Sequence, residues 1–381
     1  MDVADAAPVS RTAAYVAAGR ALGAREPDAA ARNPDYLAEK LLGDTARLDV
    51  DHPAVRAVSL PYDEAMRDLE VAGIVRTMTV RTRFIDEAFE RAVAEGASQV
   101  VILGAGFDSH AYRFADLLQA RSVRIFEVDR PATQAFKRAR VDEVLGGPPA
   151  NLIYVPVDFR RDDLRESMVR RGYDPSLRTF FILEGVTMYL PEADVLRTLR
   201  LIGAHPPGSA VVFDFVGRAL VDMLARLDVS KVPPMAKPLV ERFLNLVRDE
   251  PWLFGFPSGS EREYLAELGL ELREALAIGG EESVKRYLTR TDGTQVGAEA
   301  LAAAAARFAA GTAGEASTGR GAETGDGAKT AGGASTSGTA GTPGAAQLSL
   351  EQRRALQRSM AHQVAVAIVA PTRLMSSAAE P

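Results

Sequence analysis

The sequence predicts an α/β fold: a doubly wound, mostly parallel sheet of seven strands with helices on both faces. Three observations carry that expectation. Between residues 99 and 215 five short apolar runs alternate with helix-length segments. The first run ends in a glycine turn, Gly104-Ala105-Gly106. Three of the runs behind it end in a carboxylate: Asp129, Asp158 or Glu184. Strands that alternate with helices are joined by crossovers and therefore run parallel.

The elements follow in order. Residues 11–24 and most of 61–94 read as helix and form an N-terminal helical cap over residues 1–95. The runs at 99–103, 123–128, 152–155, 179–183 and 209–215 read as buried strands. Between them, 131–145 starts with Pro131, a residue suited to a first helical turn, a charged helix covers about 162–171, and another begins near Pro191-Glu192. The rhythm breaks over 218–257, which contains Pro233-Pro234 and ends in Trp252-Leu253-Phe254-Gly255-Phe256. That segment reads either as a lid over a ligand or as a helical extension packed on the core. Residues 270–278 suit a sixth strand and 364–369 a seventh.

Length alone, at roughly 150 residues per domain, would divide 381 residues into two domains. Residues 309–347 change that count. They consist of Gly, Ala, Thr and Ser with a few charges, and contain no Val, Ile, Leu, Met, Phe, Tyr or Trp. Nothing in them offsets an ordering cost of about 1–2 kcal/mol per residue, so they read as a flexible insertion. The expected plan is one core at 96–308 carrying the 218–257 lid, the insertion at 309–347, and a last helix and final strand within 348–381.

Composition excludes several classes. Cysteine is absent, which removes disulfides, zinc ribbons and thiol nucleophiles and fits a reducing cytoplasm. The balance of 45 Lys+Arg against 51 Asp+Glu gives a formal charge of −6, with no electrostatic pull toward nucleic acid or an anionic membrane. The acidic start, Met1-Asp2-Val3-Ala4-Asp5, is unlike a secretory signal, and no apolar run approaches the roughly 18 residues of a spanning helix. A small-molecule partner and a cytoplasmic location are expected. His52, His205 and His362 show no metal-ligand spacing, so no metal is expected.

Glycines at a strand-to-helix turn let the backbone approach a ligand beside a helix N-terminus. Here the dinucleotide pattern lacks its third glycine, because position 109 is Ser. Asp129 follows Gly106 by 23 residues, the place of an acid that accepts both ribose hydroxyls of a nucleoside. Asp158 and Glu184, at two further strand ends, point to the same carboxyl edge. These residues indicate a nucleoside cofactor and leave NAD and S-adenosylmethionine both open.

Four runs carry a family resemblance. Val100-Val101-Ile102-Leu103-Gly104-Ala105-Gly106-Phe107-Asp108, Ala111-Tyr112-Arg113-Phe114, Glu127-Val128-Asp129-Arg130-Pro131 and Leu183-Glu184-Gly185-Val186-Thr187-Met188-Tyr189-Leu190-Pro191 resemble the leucine carboxyl methyltransferase-like family, and within it a bacterial branch of provisionally named S-adenosylmethionine-dependent O-methyltransferases. The resemblance spans about 10–287 and resumes at the last strand. It implies a Rossmann-like class I methyltransferase that transfers a methyl group to a carboxylate or hydroxyl of a small molecule, with secondary metabolism as a setting. It also implies a cofactor site: Gly104 and Gly106 along the methionine part, Asp129 on the ribose, Asp158 and Phe159 on the adenine, Glu184 near the amino group and Arg81 on the carboxylate. Arg83 stands close enough to be confused with Arg81, and Arg11 matches a second basic residue. The chain departs from the branch after Asp108, where Ser109 and His110 replace the usual Thr and Arg.

A carboxylate acceptor is ionised at neutral pH and needs no general base, whereas an alcohol does. Tyr189 and His110 are the candidate bases, and neither is compelling by sequence, which leans toward a carboxylate or an acidic hydroxyl. Two other classes compete: a non-catalytic S-adenosylmethionine-binding or interaction protein, and an NAD-dependent oxidoreductase. The acceptor and the oligomeric state stay open.

Overall fold

A computed structural model describes residues 10–44, 52–307 apart from positions 160, 233, 235, 249 and 258, and 362–369. The insertion expected at 309–347 and the helix expected after it lie outside the described residues.

The strands are β1 (Gln99–Leu103), β2 (Arg124–Asp129), β3 (Leu152–Pro156), β4 (Thr179–Leu183), β5 (Ala210–Val216), β6 (Leu270–Ala277) and β7 (His362–Val369). They form one seven-stranded sheet in the order β3-β2-β1-β4-β5-β7-β6. β1 pairs in parallel with β2 and β4, β2 with β3, and β4 with β5. β7 is inserted antiparallel between β5 and β6. The strand order reverses beside β1, the place where open α/β sheets leave a crevice for ligands.

Both faces of the sheet are covered, so its inner strands are apolar on both sides. Along β1, Val100 and Ile102 enter one core while Val101 and Leu103 enter the other, the period-two alternation of a strand. The first core lies under the long helix Leu69–Ala94 and the N-terminal helix Arg11–Gly23. These two helices approach closely at Gly19, where an added Cβ would lie 2.7 Å from Ile74 and 2.9 Å from Met78. The second core collects Phe126, Phe181, Phe213 and Phe256.

The helix expected over 61–94 is interrupted. A single turn, Tyr62–Ala65, ends before Asp68, whose carboxylate accepts from the Glu70 and Val71 amides at 2.8 and 3.2 Å and so starts the long helix. The 218–257 segment contains the helices Arg218–Ala225 and Lys237–Leu246. It then returns along the end of β5, with the Phe256 amide donating to the Val216 carbonyl at 2.9 Å and Phe254 and Phe256 buried in the second core.

Candidate functional site

A cavity of about 910 Å³ opens at the carboxyl edge of β1, β2 and β4. Its floor begins with the turn after β1. Gly104 and Gly106 hold φ of 70° and 45°, left-handed values that suit glycine. A Cβ on Gly104 would lie 2.6 Å from Val186. Asp129 ends β2 over this turn: one carboxylate oxygen accepts from the Gly106 amide at 2.5 Å, the other from the Arg130 amide at 2.6 Å. Burial raises its pKa against those two hydrogen bonds. Asp158 and Phe159, after β3, complete this end of the cavity.

A chain of charges lines the adjoining wall. Arg81, on the buried face of the long helix, lies with Nε 2.8 Å from Glu184 Oε1 and donates from Nη1 to Asp214 Oδ2 at 2.9 Å. Nε and Oε1 are close, yet neither makes a hydrogen bond of regular angle. Asp214, in the middle of apolar β5, is fully buried. Its Oδ1 accepts from the Gly185 amide at 2.5 Å, and its Oδ2 lies 2.7 Å from His362 Nε2. Burial would raise the Asp214 carboxyl, but Arg81 and then His362 outweigh it and hold it well below the usual range. Arg81, Glu184 and His362 all face the cavity.

The remaining wall is apolar and aromatic. Tyr15 and Val16 come from the N-terminal helix, and Leu239, Phe243 and Trp252 from the 218–257 segment. Ser10 Oγ donates to Glu250 at 2.8 Å, tying the two walls together. Tyr189 also lines the cavity, and burial pushes its phenol up to about 12. At neutral pH it is a hydrogen-bond donor rather than a base.

Two expected residues stand elsewhere. His110 is buried outside the cavity wall, with Nδ1 2.8 Å from Asp108 and Nε2 3.0 Å from Asp86, whose carboxylate also receives a bidentate pair from Arg113. It cements the turn after β1 to the long helix and does not line the cavity. Arg11 opens onto a separate pocket of about 140 Å³ with His52, Arg56 and Arg242. Arg83 bonds the Ala30 carbonyl and covers Tyr287, which separates it from Arg81. Sequence reasoning missed Asp214 and His362. The one available signal was an acid inside an otherwise apolar strand, Phe213-Asp214-Phe215, since a buried charge demands partners.

Among the described residues no group of three or more His, Asp or Glu is arranged to hold a metal ion, and no helix is long and apolar enough to cross a membrane.

Comparison with known proteins gives concordant relatives. A Streptomyces coelicolor protein, provisionally named an S-adenosyl-L-methionine-dependent methyltransferase, is 34% identical over 247 residues, covering 64% of this chain and 81% of that one. A Mycolicibacterium vanbaalenii protein of the same provisional name is 32% identical over 282 residues, covering 70% and 84%. A solved Thermobifida fusca structure, described provisionally as a methyltransferase, aligns with 16% identity and a TM-score of 0.44 over 78% of this chain and 93% of that one. The profile of the leucine carboxyl methyltransferase family matches residues 13–203. The chain therefore belongs to that family, as an enzyme that uses S-adenosyl-L-methionine as methyl donor.

Proposed function

We propose that the enzyme is an O-methyltransferase acting on the hydroxyl or carboxylate of a small molecule with an apolar, aromatic-sized body, in secondary metabolism and in the cytoplasm. The observation that carries this reading is the division of one cavity into a polar, acid-lined end and an apolar end walled by Tyr15, Leu239, Phe243 and Trp252. The acidic net charge supports a small-molecule partner over nucleic acid.

The residues at the polar end fit the donor. Asp129 keeps lone pairs beyond its two amide contacts, suited to ribose hydroxyls. Thr12 Oγ1 and Glu184 Oε1 are buried polar atoms without a hydrogen bond of regular geometry, and a bound ligand would satisfy them. Glu184 suits an ammonium, Arg81 a carboxylate through Nη2, Gly104 and Gly106 the methionine chain, and Asp158 with Phe159 the adenine. S-adenosylmethionine supplies an electrophilic methyl group on a sulfonium sulfur. The chain's own contribution is to align the acceptor oxygen in line and to exclude water with the 218–257 segment.

Isothermal titration with S-adenosylmethionine and S-adenosylhomocysteine, followed by a mass-spectrometric screen of phenols, alcohols and carboxylic acids, tests the reading. Binding with methylation of a phenol or acid supports it. Binding with no acceptor methylated would favour the non-catalytic alternative.

A further inference from the structure

We propose that His362, oriented by Asp214, is the proton acceptor for a hydroxyl substrate, and that the acceptor class is phenolic. This deepens the reading above and rests on it.

The two residues come from neighbouring strands. His362 opens β7 in register with Val216 at the end of β5, so it stands at the sheet edge where Glu184 ends β4. Its Nε2 lies 2.7 Å from Asp214 Oδ2. An ionised carboxylate only accepts, so Nε2 carries the hydrogen and Nδ1 keeps its lone pair. Among the described residues nothing hydrogen-bonds Nδ1, and the side chain is 22% exposed on the cavity wall.

The phenols and the second imidazole on the cavity are less suited. Tyr189 and Tyr15 hold their protons more tightly than a free phenol because they are buried. His52 is pushed down to about 4 by burial and Arg242, and its Nδ1 already accepts from the Ala54 amide at 3.2 Å. Asp129 already accepts from the Gly106 and Arg130 amides and is assigned above to the ribose. On the cavity wall His362 has its carboxylate partner at hydrogen-bond distance, 2.7 Å, whereas His52 Nε2 stands 3.7 Å from Glu70.

Charge is conserved in the transfer. Arg81 is positive and Glu184 and Asp214 are negative, so the cluster carries one net negative charge before the reaction. As the acceptor oxygen bonds to the methyl carbon, the carbon–sulfur bond breaks with its electron pair moving to sulfur. The hydroxyl proton moves to His362 Nδ1, and the positive charge lost at sulfur reappears on the imidazolium beside Asp214. Asp214 stays ionised and Arg81 stays protonated.

The apolar wall selects the acceptor. Tyr15, Phe243 and Trp252 offer ring-sized apolar surface, and a phenol, with a pKa of about 10, sits where an imidazole is an effective base. A carboxylate needs no such base.

The test compares wild type with His362→Gln at fixed pH, using phenols of graded acidity that include a nitrophenol already ionised at neutral pH. Titration of S-adenosylhomocysteine checks that the variant folds and keeps its donor site, and binding within about twofold is expected. For weakly acidic phenols kcat should fall by roughly 10²–10⁴-fold, while the nitrophenol should stay within a few-fold of wild type. Equal losses for ionised and un-ionised phenols would overturn the proposal, because a packing role does not distinguish them. Unchanged rates throughout would overturn it as well. A wild-type enzyme that methylates carboxylic acids but no phenol would refute the inference and leave O-methylation standing. An enzyme that methylates no phenol, alcohol or carboxylic acid would refute both.

Discussion

Asp129→Asn tests the proposed ribose contact with almost no change of shape. A carboxylate offers roughly four lone-pair sites. The Gly106 and Arg130 amides use two, at 2.5 and 2.6 Å, one on each oxygen. Two sites remain, one per ribose hydroxyl. Asparagine keeps one oxygen, and its NH₂ must then face one of the two backbone N–H groups. The donor-to-donor encounter is present with and without ligand and so lowers stability rather than affinity, whereas loss of a charge-assisted acceptor for the ligand is worth about 1.5–3 kcal/mol. That loss weakens S-adenosylhomocysteine binding roughly 10- to 150-fold. Titration of both proteins with S-adenosylhomocysteine and its 2′-deoxy analogue completes a double-mutant cycle. Wild type should lose affinity when the 2′-hydroxyl is removed, and the variant far less. Strictly additive losses would refute the ribose assignment, since Asp129 would then act only by shaping the turn.

Three further outcomes are expected. His110 should make stability pH-dependent: burial alone would lower its pKa, but Asp108 and Asp86 raise it to about 9 from 6.5. Its contribution, on the order of 3 kcal/mol, is therefore fully present below pH 6.5 and lost as pH rises through 9; urea unfolding at pH 6 and 9.5 should show this loss in wild type and not in His110→Gln. Gly104→Ala should abolish tight S-adenosylhomocysteine binding and lower stability by about 1–3 kcal/mol, from the φ of 70° and the 2.6 Å contact with Val186; in Val186→Ala, thermal melting should recover only part of the loss, because the backbone strain persists. Removal of residues 309–347, which leaves 308 and 348–361 to join the described segments, should preserve donor affinity by titration, as a segment without large apolar side chains contributes little to a core.

The strands were legible because buried parallel strands must be apolar throughout, and the glycine turn because its geometry restricts residue type. Asp129, Asp158 and Glu184 were legible because strand ends are fixed once the strands are. Other features depend on what packs against what. Arg81 and Arg83 sit two apart on one helix, and only the helical period, which places 81 with Met78 and Ile85, assigns one inward. His110 looked like a candidate base because its partner Asp86 is distant in sequence and spacing does not reveal the ion pair. Asp214 and His362 are 148 residues apart. They meet only because β7 is inserted beside β5 rather than added at the sheet's rim, and no local pattern dictates that order.

That insertion has a consequence for biosynthesis. Until residues 362–369 have emerged from the ribosome, β5 and β6 lack the backbone partner that lies between them, and the charge on Asp214 lacks its imidazole neighbour. A nascent chain can bring together the proposed donor contacts at the ends of β1 to β4 while its proposed acceptor side remains unfinished. Such an intermediate is prone to edge-to-edge association. The antiparallel strand that closes the gap also delivers His362, so the step that joins β6 to the sheet is the one that installs the proposed base.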